Sequence, residues 1–422
     1  MPSSHAAPDR SPDRSPRSFR DLGVRPELAT VLAGQGVTRP FPIQAATLPD
    51  ALAGRDLLGR GRTGSGKTLA FTIPTVSALG HSGRGRVPGR PRALVLVPTR
   101  ELAAQVADTF APLAAALGQR ITTVFGGVGQ GRQVSALRGG IDVLIACPGR
   151  LEDLIGQGHV HLGAVEVTVL DEADHMADLG FLPVVRRLLD RTPAGTQRLL
   201  FSATLDGDVD VLVRRYLTDP VVHSVDPPVA PVGTMDHHVF TVEPADKPAV
   251  IRELASGQGR SLLFTRTKHA AKKLARQLNV AGVAAVELHG DLSQNARERN
   301  LAAFSAGSAR VLVATDLAAR GIHVADVGLV VHVDPPAEHK AYLHRSGRTA
   351  RAGAAGIVVT LSTPAQSGDV RALAHKAGIR PLTTPVRPGA PQISTLTGPA
   401  ARRAPRRPTR RGAARRSAPR AA

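Results

Sequence analysis

The chain has 422 residues, 42% of them apolar, enough for two or three domains with proper cores. No uninterrupted apolar run approaches the roughly 18 residues of a membrane span, and Met1 to Arg17 is Ser/Pro/Arg-rich without the apolar stretch of a secretion signal. The lone Cys147 excludes an internal disulfide and fits a reducing compartment, so a soluble, cytoplasmic protein with no membrane contact is expected.

Residues 1–18 read as a disordered N-terminal segment. From Phe19 to Val222, short β-branched runs alternate with Ala/Leu-rich stretches. Arg55–Leu58, Ala93–Val97, Ile121–Val124, Val143–Ala146, Val167–Leu170 and Leu199–Phe201 read as strands; Arg100–Leu117 and Phe181–Asp190 read as helices. Near-continuous hydrophobicity suits parallel strands covered on both faces, and the alternation predicts an α/β sheet. Residues 223–235 are proline-rich without periodicity and read as a linker. The pattern restarts over 236–385, with strands expected at Ser261–Thr265, Ala284–Leu288, Val311–Ala314, Gly328–Val333 and Ile357–Leu361, and helices at Lys268–Gln277 and Asn295–Phe304. Two tandem parallel-sheet domains imply a cleft between strand ends, where open α/β sheets take ligands.

Residues 386–422 read as a disordered basic tail. Net charge is +20, and no acidic residue follows Asp369 while thirteen Lys and Arg do. An arginine-rich tail of this kind holds polyanions through counterion release, which makes nucleic acid the expected partner. With ten Phe, two Tyr and no Trp, recognition through the nucleic-acid backbone is expected rather than serial stacking on exposed rings.

Two motifs carry chemistry. Gly61-Arg62-Thr63-Gly64-Ser65-Gly66-Lys67-Thr68 has the spacing of a phosphate-binding loop, lying between a predicted strand and a predicted helix. Its glycines let backbone N–H groups approach phosphates, Lys67 reaches the β- and γ-phosphates, and Thr68 offers a hydroxyl to Mg²⁺. About a hundred residues later the run Val165–Leu170 ends in Asp171-Glu172-Ala173-Asp174. An acidic pair closing a hydrophobic strand is costly unless a cation or a water uses it. Asp171 is assigned to magnesium and Glu172 to the attacking water, so the pair of motifs reads as a nucleoside triphosphatase.

With these motifs in place, the chain resembles the DEAD-box RNA helicases over roughly Phe19 to Arg380, and the Ala/Arg/Gly-rich composition suggests a bacterial source. The resemblance implies two RecA-like domains and ATP as fuel. By that likeness Phe19 stacks on the adenine and Gln44, in Gly36-Val37-Thr38-Arg39-Pro40-Phe41-Pro42-Ile43-Gln44, bonds its edge. Pro98-Thr99-Arg100, Gly126-Gly127 and Cys147-Pro148-Gly149-Arg150 resemble the first domain's RNA-backbone contacts; Pro98, Thr99, Arg100, Gly127, Pro148, Gly149 and Arg150 carry them. Ser202-Ala203-Thr204 resembles the segment coupling hydrolysis to strand separation, with Asp174 and His344 in the same role. In the second half, Phe264-Thr265-Arg266-Thr267, His289-Gly290-Asp291 with Arg297, Ala314-Thr315-Asp316 and His344-Arg345-Ser346-Gly347-Arg348-Thr349-Ala350-Arg351 continue the family pattern. The resemblance gives Arg266, Arg297 and Thr315 to RNA, Gly321 to nucleotide, and Arg348 and Arg351 to the γ-phosphate as arginine fingers.

Three residues depart from the family pattern. Gly61 replaces an Ala, Cys147 a Thr and His323 an Asp; the last implies weaker ribose recognition without loss of turnover. The implied activity is local separation of short RNA duplexes, or remodelling of RNA–protein complexes, by a monomer. Ribosomal or RNA-decay proteins are compatible partners. A DNA translocase on the same scaffold, or an RNA chaperone acting through the tail, stands as the alternative.

Overall fold

The computed structural model describes residues 18–61, 65–204, 207–224, 235–319, 327–350 and 356–398. Arg62, Thr63, Gly64, Gly321, His323 and Arg351 lie outside these residues, as do 1–17, most of the predicted linker and 399–422 of the predicted tail.

The first sheet contains β1 Leu57–Arg60, β2 Ala93–Leu96, β3 Ile121–Val124, β4 Val143–Ala146, β5 Val167–Leu170, β6 Gln197–Ser202 and β7 Val221–Ser224. Its order is β3-β4-β2-β5-β6-β1-β7, parallel at each pairing. Successive side chains point to opposite faces of a strand. Ala93, Val95 and Val97 therefore enter one apolar cluster, with Phe71 and Phe110, while Leu94 and Leu96 enter another, with Leu151 and Val185. Burial on both faces is why these strands carry no polar alternation.

The second sheet contains β8 Met235–Thr241, β9 Arg260–Phe264, β10 Ala285–Leu288, β11 Val311–Ala314, β12 Val327–His332, β13 Gly356–Ser362 and β14 Leu382–Pro385. It is again parallel, in the order β10-β11-β9-β12-β13-β8-β14. Leu263, Val311 and Val313 fill one face; Leu262, Phe264 and Leu312 fill the other. The two halves repeat one architecture, the tandem α/β arrangement expected from the alternation. Among the described residues no helix is long and apolar enough to cross a membrane.

The structure corrects two boundaries. Residues 223–224 and 235, assigned to the linker, lie in β7 and β8. Ordered structure also runs past 385 into the segment expected to be tail: Val386 and Ile393 are buried, and the helix Pro391–Thr397 lies against the helix Lys247–Ser256. The Gln258 N–H donates to the Thr397 carbonyl at 2.8 Å. Apolar contacts, not local composition, order this segment.

Phe71 ties the helix Lys67–His81 to the sheet, its ring 5.4 Å from Phe201 and 6.2 Å from Phe110. Gly59 in β1 is required beneath that cluster, because a Cβ there would meet the Phe201 ring at 2.4 Å. Phe71→Ala is expected to destabilise the first domain by about 3–5 kcal/mol, read as a lower urea midpoint for that domain's transition with the second domain's transition unmoved.

Candidate active site

Strand order assembles the site. In the first sheet β5, β6 and β1 are neighbours, so the segments leaving their carboxyl ends converge: Asp171-Glu172 after β5, Ser202-Ala203-Thr204 after β6 and the phosphate loop after β1. The Gly61 N–H donates to the Ser202 carbonyl at 3.2 Å, tying two of these segments together. Gly66 takes φ 91°, a left-handed conformation natural to glycine, and Lys67 opens the helix Lys67–His81. Its backbone N–H groups and positive end face the loop. Lys67 is buried and its Nζ donates to the Gly61 carbonyl, across the mouth of the loop; Ser65 and Thr68 are half-buried beside it.

Behind the loop lie the carboxylates. Burial pushes the Asp171 carboxyl up to about 7, partly opposed by Lys67 and reinforced by the negative charge of Glu172. Burial acts on Glu172 in the same direction, but the hydrogen bond and charge of His175, followed by the charges of Arg348 and Lys67, hold it well below the ordinary carboxylate range. Asp174 faces the other way: its Oδ2 accepts from Thr204 N and Oγ1 at 3.0 and 3.1 Å, and its N–H donates to Ser202 Oγ at 3.3 Å. The predicted coupling residues Asp174, Ser202 and Thr204 thus form one cluster.

Asp171 and Thr68 suit Mg²⁺. A buried carboxylate short of positive charge and a hydroxyl are hard oxygen donors, which Mg²⁺ accepts alongside phosphate oxygens and water. Among the described residues no group of three or more His, Cys, Asp or Glu forms a self-sufficient metal cage.

The two residues assigned to adenine, Phe19 and Gln44, are both buried. Phe19 is 3% exposed and belongs to the apolar core with Leu28 and Leu32, so neither face is open to a base. Gln44 is fully buried with both amide atoms engaged: Oε1 accepts from Phe41 N and Nε2 donates to the Gly66 carbonyl, each at 2.8 Å. It braces the phosphate loop against the helix Pro42–Leu52. The exposed ring here is Phe41, which a Cβ on Gly66 would meet at 2.6 Å. Sequence reasoning quoted Phe41 within the segment 36–44 but gave it no role.

The remaining edge of the first sheet, β3-β4-β2, carries the predicted nucleic-acid turns. Buried Pro98 follows β2, and Thr99 caps the helix Arg100–Ala116, its Oγ1 accepting from Leu102 N at 3.2 Å. Arg100 Nη1 donates to the Gly126 carbonyl at 3.3 Å and lies where any side chain on Gly127 would go. Pro148 and Gly149 start the helix Pro148–Gly156, and Arg150 Nη1 donates to the Val128 carbonyl at 3.3 Å. In the second sheet the corresponding strands β10-β11-β9 end at His289, Thr315 and Arg266; Arg266 is exposed.

Arg297, also assigned to RNA, engages the first domain. It is 6% exposed; Nε donates to Glu101 Oε1 at 2.7 Å, and its other nitrogens donate to the carbonyls of His289 and Ala318. The structure makes it a tie between domains, because Glu101 is a buried anion of the first half. Arg348, 8% exposed, follows the helix His339–Ser346, donates through Nε to the His344 carbonyl at 3.3 Å, and acts electrostatically on Glu172 of the first domain.

The comparisons identify the family to which a chain of this fold belongs. The family model described as DEAD/DEAH box helicase matches residues 41–212, and that described as Helicase conserved C-terminal domain matches 246–353. The chain is similar to ATP-dependent RNA helicase RhlB of Pseudomonas syringae pv. tomato, 37% identical over 87% of this chain and 94% of that protein. It is 40% identical to DEAD-box ATP-dependent RNA helicase 53 of Oryza sativa subsp. japonica, over 85% of this chain and 60% of that one. It spans half to three fifths of the length of such plant relatives. Among solved structures, S. cerevisiae Dbp5 bound to RNA and ADP BeF3 superposes with a TM-score of 0.78 at 27% identity, covering 90% of this chain and 98% of that one. The chain belongs to the DEAD-box helicase family.

Breaking a buried ion pair by removing one partner costs about 3–5 kcal/mol. Arg297→Ala is therefore expected to shift the domains toward separation, seen as lower transfer efficiency between fluorophores on the two domains, with Arg297→Ala/Glu101→Ala less impaired than the sum of the single variants. Cys147, 9% exposed, has its thiol pushed up to about 12, chiefly by burial and then by the Glu101 charge. Thiolate is scarce below that value, so iodoacetamide at pH 8 should label the native protein far more slowly than the urea-unfolded one, where the pKa falls back toward about 8.5.

Proposed function

We propose that this chain is an ATP-dependent RNA helicase that opens short duplexes locally, or remodels RNA–protein complexes, by closing two domains on one RNA strand. The observation that carries the reading is the approach of Arg348, from the second domain, to the water-orienting Glu172 of the first, close enough for its charge to add to that of His175 in favouring the ionised carboxylate. A cation near a hydrolytic carboxylate is poised for the charge that develops on a transferring phosphoryl group. The likeness to Dbp5 bound to RNA and ADP BeF3 supports the same reading.

In this mechanism Lys67 leaves the Gly61 carbonyl for the β- and γ-phosphates of ATP. Thr68 and Asp171 would hold Mg²⁺, which when bound offsets phosphate charge. Glu172 orients the water and takes its proton, while Arg348, with Arg351 three residues on in sequence, stabilises the leaving charge. RNA binds by its backbone along the turns after β2, β3, β4, β9 and β11. ATP and RNA each engage both domains, so each favours closure and, by linkage, the binding of the other. The contacts of Asp174 with Ser202 and Thr204 connect the water site to that closure.

Arg348→Ala should keep ATP binding to the open protein while lowering RNA-stimulated hydrolysis by about 10³-fold or more, the usual worth of an arginine finger. Lys67→Ala should abolish turnover, and Glu172→Gln should bind ATP and RNA but stall. Wild-type turnover in Arg348→Ala would sink the cross-domain mechanism. Equal stimulation by DNA and RNA of one sequence would instead favour a DNA-directed enzyme.

A further inference from the structure

Glu172 has φ 50° and ψ 52°, left-handed for a residue with a side chain, and sits immediately before the short helix Ala173–Asp178. Such strain persists only where surrounding contacts over-determine it. One such contact comes from His175, three residues on: its Nδ1 lies 3.0 Å from Glu172 Oε2. An ionised carboxylate only accepts, so Nδ1 carries the proton and donates. Oε1 takes no hydrogen bond from any described residue. The ring is 5% exposed, and its Nε2 is buried without a partner among the described residues. A buried imidazole with one orphaned nitrogen is a poor packing choice, since an apolar side chain of similar volume would fill the space without that cost. The bond to Glu172 is the only side-chain hydrogen bond the ring makes among these residues.

We propose that His175 is a positioning residue for ATP hydrolysis, holding one oxygen of Glu172 so that the other is presented to the attacking water. This rests on the assignment of Glu172 as the base. The contact lies within a single turn of one domain, so it orders the carboxylate before closure; Arg348 acts on the same carboxylate from the other domain. The backbone N–H of His175 donates to Asp174 Oδ1 at 3.1 Å, which ties the main chain at His175 to the cluster of Asp174, Ser202 and Thr204. Glu172's hydrogen bond to His175 also favours its charged form.

The test compares His175→Ala, His175→Asn and His175→Gln in the full chain, with ATP, Mg²⁺ and a single-stranded RNA. Asn places an amide N–H near the position of Nδ1; Gln places it near Nε2. His175→Ala should lower RNA-stimulated kcat by about 10–100-fold, the order of effect of a misplaced catalytic group, with the KM for ATP and the affinity for RNA unchanged. His175→Asn should recover most of the loss and His175→Gln little of it. Single-turnover hydrolysis in the Glu172→Gln background should be insensitive to His175→Ala, because the carboxylate that His175 serves is gone. Unchanged kcat in His175→Ala, equal defects in the Asn and Gln variants, or a kcat loss that tracks lost ATP binding would each overturn the proposal. If Glu172→Gln itself hydrolyses normally, the failure belongs to the base assignment instead.

Discussion

Two guanidinium groups of the second domain reach acidic side chains of the first, and the arrangement of the molecule turns on them. Arg297 meets Glu101 at 2.7 Å with both side chains more than nine-tenths buried, while Arg348 sets part of the charge environment of Glu172. Removing two charges from water costs several kcal/mol per ion, recovered only with good geometry and further hydrogen bonds. Arg297 has these in the carbonyls of His289 and Ala318. The ion pair is therefore worth little to either domain alone and specifies where they meet. Arg297 lies on the helix Gln294–Ser305 and Glu101 on the helix Arg100–Ala116, each reached from a strand on the proposed nucleic-acid half of its sheet. Docking there brings the two sets of turns proposed to face RNA together and directs Arg348 toward the proposed nucleotide half.

The division of each sheet into halves follows from strand order. A parallel sheet delivers all its following segments to one edge, and crossovers decide which are neighbours. With β5, β6 and β1 adjacent, three segments spread along the chain between Gly61 and Thr204 meet around one phosphate site, while β3, β4 and β2 carry a second set beside them. Fuel and substrate thus share one rigid scaffold, which suits reciprocal coupling better than two sites joined by a flexible loop.

Much of this was legible in the chain. The buried strands announced themselves by apolar runs, and the phosphate loop and acidic strand end carried chemistry in their residue types. What local pattern could not reveal was which partner a side chain chooses. Phe19 and Phe41 are both aromatic residues near the loop, yet only the three-dimensional fold buries the first and exposes the second. Arg297 and Arg266 both stand in basic motifs, and only the docking of a buried Glu101 separates them. β8 begins Met-Asp-His-His and β14 ends in Pro, so neither carries a strand signal, and pairing with the sheet defines them. His175 left a faint mark: a histidine three residues after the catalytic glutamate shares a helix face with it, a spacing that gains meaning once the turn at Glu172 is known.

The neighbouring carboxylates Asp171 and Glu172 show how one fold separates two chemical roles. Both are buried, and burial drives both upward. Asp171 has Lys67 as its main cationic neighbour and adjoins a second acid, so its carboxyl ends near 7 and gains most from a further positive charge. Glu172 is held by His175 and flanked by Arg348 and Lys67, so it is ionised with no added cation. Titratable groups whose surroundings drive them apart are the ones that divide a reaction between them. In the proposed mechanism this leaves Asp171 to bind a metal with the phosphates and Glu172 to accept a proton. His175 belongs to the same domain as that acceptor and favours its charge before closure, while Arg348 adds its own charge from the second domain.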